Sequence, residues 1–145
     1  MNKESSITIE YVDCELERYP SVCVSITVSN EGYVGANKDV WFELRLFKQF
    51  VNHLKELDDK RKGFASVESM SPEEFFLSIE TYDLSGHLML KYKISKYAHH
   101  PNVNISLSGG FKLDSSFFTK LVDDFIKLVD ESKYPPPKYP FINNV

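Results

Sequence analysis

Cys14, Cys23, the four histidines and the acidic pairs Asp58-Asp59, Glu73-Glu74 and Asp123-Asp124 are the residues of this 145-residue chain whose types bear on nucleophilic, metal-ion or acid–base chemistry. A thiol nucleophile needs a base beside it, and a closed zinc site needs about four ligands. Neither arrangement has a local signature, since the cysteines are not spaced C-x-x-C and both fall in runs that read as strands. His99-His100-Pro101 falls in a hairpin loop, His87 opens a strand and His53 lies mid-helix, with no thiolate or carboxylate at fixed spacing from the His-His pair. The acidic pairs are neighbours in sequence, which sends them to solvent rather than across a cleft as glycosidase or two-metal chemistry requires. The patterns G-x-S-x-G, Walker A, G-x-G-x-x-G, H-E-x-x-H and the EF-hand loop are absent. Gly109-Gly110, between a strand and Asp114, reads as a strand-to-helix connection rather than a phosphate cradle. The expectation is a protein that is not an enzyme and has no catalytic, cofactor-binding or metal-binding residues.

Composition narrows the partners. With 11 Phe, 8 Tyr and 42% apolar residues there is ample material for a packed core, and the length fits one domain. A formal charge of −4 disfavours nucleic acid, whose binding modules are normally basic. No run approaches the roughly 18 apolar residues of a membrane span, and Met1-Asn2-Lys3-Glu4-Ser5-Ser6 lacks the apolar core of a secretory signal. A cytoplasmic protein with two free thiols and no membrane contact is expected.

The elements follow from hydrophobic period. Residues 7–16 and 21–29 alternate as two strands turning near Arg18-Tyr19-Pro20, which would set Cys14 about opposite Cys23. Asn30-Glu31-Gly32 has the chemistry of a second hairpin turn, and the returning strand, interrupted and bulged at Gly35, resumes at Val40-Trp41-Phe42-Glu43-Leu44. Leu46, Phe47, Phe50, Leu54 and Leu57 then recur at helical spacing over residues 45–60, and Gly63 is expected to be the left-handed stop. A short strand at 64–70 precedes Ser71-Pro72-Glu73-Glu74, a turn or single helical turn. Strands 75–82 and 87–96 are joined by Asp83-Leu84-Ser85-Gly86, and 102–109 is a further strand. Asp114 is a natural N-cap for a second helix over 115–132, with a stripe of Phe117, Phe118, Leu121, Val122, Phe125, Leu128 and Val129. Residues 1–132 are thus expected to form a single α+β domain, and the Pro-rich residues 133–145 an extended C-terminal tail.

Splitting the strands by parity gives one apolar and one polar set, the mark of an antiparallel sheet rather than of a doubly wound parallel one. The predicted fold is α+β: a single curved antiparallel sheet of six or seven strands with both helices on its apolar face. Two helices about 10 Å across cannot cover that many strands laid flat, so the sheet must curl, with a half barrel or sandwich as the alternative. The polar face carries Trp41, Phe76, Tyr82 and Met89 among Glu10, Glu43 and Glu80. Aromatics framed by charge suit a protein interface, and Glu10, Trp41, Glu43, Phe76, Glu80 and Tyr82 are the candidate partner-binding residues; the alternative is a small second core under the tail or a loop.

The order of these features resembles a known family. Gly35 and Val40-Trp41-Phe42-Glu43 lead into a helix with Phe50, Leu54 and Leu57; a Leu77-x-Ile79-x-x-x-Asp83-x-x-Gly86 hairpin follows, and Leu113-Asp114-x-x-x-Phe118 opens the last helix. Over about residues 7–130 the chain resembles the WapI-type immunity proteins of bacterial polymorphic toxin systems. The resemblance implies a small cytoplasmic protein that binds the toxic domain of a cognate toxin and neutralises it by occlusion, without chemistry of its own. The family has no motif that marks its toxin-binding surface, so the candidate interface rests on the sheet face alone. Two other readings stay open: a small-molecule binding protein or enzyme with a pocket on the concave side of the sheet, and an adaptor presenting the Pro-rich tail. A homodimer through the open face or an edge strand is compatible with each.

Overall fold

The computed structural model describes residues 5–98 and 103–136. His99-His100-Pro101 and residues 137–145, which include most of the Pro-rich tail, lie outside the described residues. The elements run β1 (Ser6–Glu15), β2 (Ser21–Asn30), β3 (Tyr33–Glu43), α1 (Leu44–Lys60), β4 (Phe64–Glu68), β5 (Phe75–Thr81), β6 (Leu88–Ala98), β7 (Val103–Leu113) and α2 (Ser115–Leu128), followed by a 3-10 turn at Glu131–Lys133. The α+β class and the antiparallel pairing are as expected, but the single sheet is not. The strands form two sheets, β1-β2-β3 and β4-β5-β6-β7. The division follows from α1, which begins directly at the end of β3 and returns the chain to pair with β5 instead of β3. Hydrogen bonds still tie the sheets: Met70 N–H donates to Trp41 O at 2.8 Å, the Asn37 side chain donates to Ser95 O at 3.0 Å and Glu74 O at 3.2 Å, and the Asn30 side chain donates to Tyr92 Oη at 2.9 Å and Gly110 O at 3.4 Å.

Five phenylalanines show why two helices suffice for seven strands. Phe42 of β3 stacks on Phe47 of α1 at 4.9 Å and meets Phe75 of β5 edge-on at 6.2 Å. Phe125 of α2 meets Phe47 and Phe50 edge-on at 5.8 and 5.2 Å. Both sheets and both helices thus share one aromatic centre, in the offset and edge-to-face geometries that aromatic rings prefer. The inner face of α1 is Leu44, Phe47, Phe50, Val51, Leu54 and Leu57; Leu46, expected in the core, is exposed. α1 has no side-chain cap, and the first of its amides, Leu44 N–H, donates instead to Pro20 O at 2.9 Å. Its left-handed stop is Arg61 (φ 52) rather than Gly63, and the Arg61 side chain is held by the backbone oxygen and carboxylate of Asp58. Asp114 caps α2 through Phe117 N–H at 2.8 Å, and the helix ends at Leu128, short of the expected 132.

Two bulges correct the strand parities. In β1 the register slips between Tyr11 and Asp13, so Cys14 pairs with Val22 and Cys23 with Asp13. The cysteines therefore lie on opposite faces of the sheet, both buried, and no disulfide joins them. In the β2–β3 pair the slip falls at Lys38-Asp39, opposite Ser25, and not at Gly35. Gly35 pairs regularly with Val28 and is needed for a different reason: a Cβ there would stand 2.8 Å from Ile94 Cγ2, where β3 crosses the second sheet. The expected inward set also fails on β7, whose Val103 and Ile105 are exposed, Ile105 at a cleft that it lines with Tyr33 and Val34 of β3.

Candidate functional site

The outer face of the four-stranded sheet is built by register. Phe64, Glu80, Met89 and Lys112 form one row across β4 to β7; Ser66, Ser78, Lys91 and Gly110 form the next; Glu68, Phe76, Lys93 and Ser108 form the third. Tyr82 follows β5 on the same face, where its ring stacks with His87 at 6.0 Å and lies 5.8 Å from the Lys112 ammonium. The hairpin that presents Tyr82 is set by Asp83, whose carboxylate accepts from the backbone N–H groups of Ser85 and His87 and meets His87 Nδ1 at 2.6 Å. The His87 contact and these N–H groups hold the Asp83 carboxyl below its ordinary value. Glu80 is paired with Lys91 at 3.2 Å. Lysines on this face therefore offset its acids, and the face is mixed in charge rather than acidic.

The six candidate residues do not share one face. Phe76, Glu80 and Tyr82 belong to the outer face just described, whereas Glu10, Trp41 and Glu43 belong to the outer face of β1-β2-β3. The predicted grouping assumed a continuous sheet, which the break between β3 and β4 removes. On the three-stranded side Glu10 is exposed, Glu43 is half-buried and paired with Arg45 at 3.3 Å, and Trp41 is half-buried in a row with the buried Cys23 and Asp13. The Cys23 thiol also lies 4.0 Å from the Asp39 carboxylate. On the four-stranded side Tyr82 is 44% exposed, and Phe64, which the sequence reading left out, is 58% exposed next to Glu80. The signal for Phe64 was its place two residues before Ser66 in a strand whose other parity, Ala65 and Val67, is core.

The concave side is filled by the five phenylalanines, and the clefts lie at the periphery. One, of about 420 Å³, opens beside Tyr11, Lys127, Leu128 and Tyr134, where the chain leaves α2. There Tyr134 packs on Tyr11 at 5.0 Å and its hydroxyl donates to Leu128 O. Burial pushes both phenols above their ordinary range, so neither is poised as an acid or a base near neutral pH. Among the described residues, no group of three or more His, Cys, Asp or Glu side chains is placed to hold a metal ion, and no helix is long and apolar enough to cross a membrane. No family model, curated protein or solved structure matches the chain.

Proposed function

We propose that this chain is a binding protein of the immunity type, which neutralises a cognate bacterial toxin domain by covering it and performs no chemistry itself. The observation that carries the reading is the outer face of β4-β5-β6-β7, where Phe64, Tyr82, Phe76 and Met89 stand among Glu68, Glu80, Lys91, Lys93 and Lys112 on a rigid sheet. Rings and a thioether set among acids on β4 and β5 and lysines on β6 and β7 provide anchors for a protein partner and a polar rim that selects it. Such a face also suits occlusion, because strands hold its side chains in place before the partner arrives. The competing reading, a ligand inside the concave side, is not supported by an interior filled with phenylalanine rings in contact.

The test is co-expression with the toxin-type domain encoded immediately upstream. Survival and a stoichiometric complex are expected, with Phe64→Ser and Tyr82→Ala losing both while retaining the wild-type urea midpoint. The absence of a toxin-type domain there, a toxin left active, or a complex indifferent to both substitutions would overturn the proposal.

A further inference from the structure

β7 ends the four-stranded sheet, and among the described residues no strand pairs with its outer edge. It is 11 residues long, and from Val103 to Phe111 the sequence Val-Asn-Ile-Ser-Leu-Ser-Gly-Gly-Phe holds neither a charge nor a proline. The unpaired N–H and C=O groups of such an edge are a template for another strand, which proteins commonly block with charge, proline, shortness or a cover. The other edges of this molecule carry such blocks. β1 bears Glu10, Asp13 and Glu15, β3 bears Lys38 and Asp39, and β4 has only 5 residues. From Val103 to Gly109 β7 has no charge, proline or shortness to block it, and further along the Asn30 side chain donates to Gly110 O at 3.4 Å, which leaves the stretch before it as the open part of the edge.

Its side chains match this backbone. On the inward parity Val103 is 47% and Ile105 53% exposed, near the end of the β6–β7 hairpin. Ile105 lines a cleft of about 390 Å³ between β3 and the β6–β7 hairpin, together with the exposed Tyr33 and Val34 and with Ile94 and Leu107. The apolar face of the core thus runs out to a free edge.

We infer that two copies of this chain pair β7 to β7, antiparallel about a two-fold axis, joining their four-stranded sheets into one. A two-fold contact uses the same patch on both partners, so the patch must tolerate itself. The uncharged run does so: pairing about Ser106 sets Ile105 opposite Leu107 and Asn104 opposite Ser108, and a shifted register still brings no like charges together. Opposed residues point to the same side of the joined sheet, so Ile105 of each copy gains an apolar neighbour where it now meets water. The run carries no charge, so pairing through it brings no like charges into contact although each copy has a net charge of −4. The inference is independent of the toxin-binding reading, which uses the outer face of the sheet and not its edge.

The test is sedimentation equilibrium of the full chain over a wide concentration range, with amide hydrogen exchange at β7. A dimer is expected, with the β7 amides slowed as concentration rises. Ile105→Lys, at an exposed position, should weaken the dimer roughly tenfold or more by placing like charges at the seam. Phe64→Lys, which makes the same charge change on the opposite edge strand, should leave it intact. A monomer at every concentration, β7 amides insensitive to concentration, or a dimer weakened equally by both substitutions would overturn the inference. Should Ile105→Lys fail to fold, the exchange measurement on the wild-type chain decides alone.

Discussion

Removing the Asn37 side-chain amide tests one of the ties between the two sheets. Ser95 is opposite Ser106 in the β6–β7 pair, but its N–H donates to Glu74 O at 3.0 Å, so its backbone groups point away from β7. β5 begins at Phe75, whose partner on β6 is Ile94, and Ser95 has passed the end of that pairing. Asn37 supplies the missing donor at 3.0 Å and also reaches Glu74 O at 3.2 Å, from a position only 9% exposed. In Asn37→Ala, Glu74 O keeps the Ser95 N–H, and the loss falls on Ser95 O, buried with its residue at 5% exposure. A buried carbonyl left without a donor costs about 1 to 3 kcal/mol. At roughly 2 to 4 °C per kcal/mol for a chain near this size, a loss of about 2 kcal/mol lowers the melting temperature by roughly 4 to 8 °C. Urea unfolding followed by far-UV dichroism and Trp41 fluorescence measures it. Asn37→Asp should be worse than Ala at neutral pH, because it turns a carboxylate towards two carbonyl oxygens. Its folded-state carboxyl value would then be raised, so the deficit should shrink as pH falls through that value towards the ordinary carboxylate range. An Asn37→Ala protein within about 0.5 kcal/mol of wild type, the range of ordinary surface substitutions, would refute the assignment of Asn37 as one of the ties.

Phe125→Ala should cost about 3 to 5 kcal/mol in urea unfolding, because its buried ring meets Phe47 and Phe50 edge-on at the centre shared by all the layers; a loss near that of a surface substitution would contradict this packing. Asp114→Ala should lower the melting temperature at neutral pH. The Phe117 N–H holds the Asp114 carboxyl below its ordinary 3.8, so the cap's contribution is present above that value and lost as pH falls through the folded one; melts across the acid range should show the gap to wild type closing there. Burial, and then the nearby Asp39 carboxylate, raise the Glu74 carboxyl above 4.5, so wild type loses stability as pH rises through the raised value. Glu74→Gln should therefore be the more stable protein above that window, with the advantage vanishing below pH 4.5, as chemical denaturation at several pH values would show.

What was legible in the sequence was local. The Asn30-Glu31-Gly32 turn, the Asp83 hairpin and the Asp114 cap are each set by a few neighbouring side chains, and all three form as read. The bulge at Val12 leaves a faint mark, since the apolar positions shift from Ile7, Ile9 and Tyr11 to Val12, Cys14 and Leu16, and the pairing shows that this shift moves Cys14 to the other face. The break between the sheets leaves none. Parity assigns a residue to a face of its own strand but does not say whether two strands far apart in sequence share a sheet, and Trp41 and Phe76 were joined on parity alone. The same limit explains Asn37, which reads as a strand breaker yet does the work of a strand's backbone at the point where β5 begins one residue too late to serve Ser95. Buried polar groups must be partnered, so an asparagine amid the apolar positions of a strand is a signal of tertiary contact rather than of weak pairing. The same reasoning applies to β7. Its alternation is the cleanest of the late strands, and parity sent Val103 and Ile105 to the core; their exposure shows that the alternation outruns the core this chain builds. Among the described residues nothing covers that pattern, and the β7 pairing inferred above would place an apolar neighbour from a second copy beside Ile105.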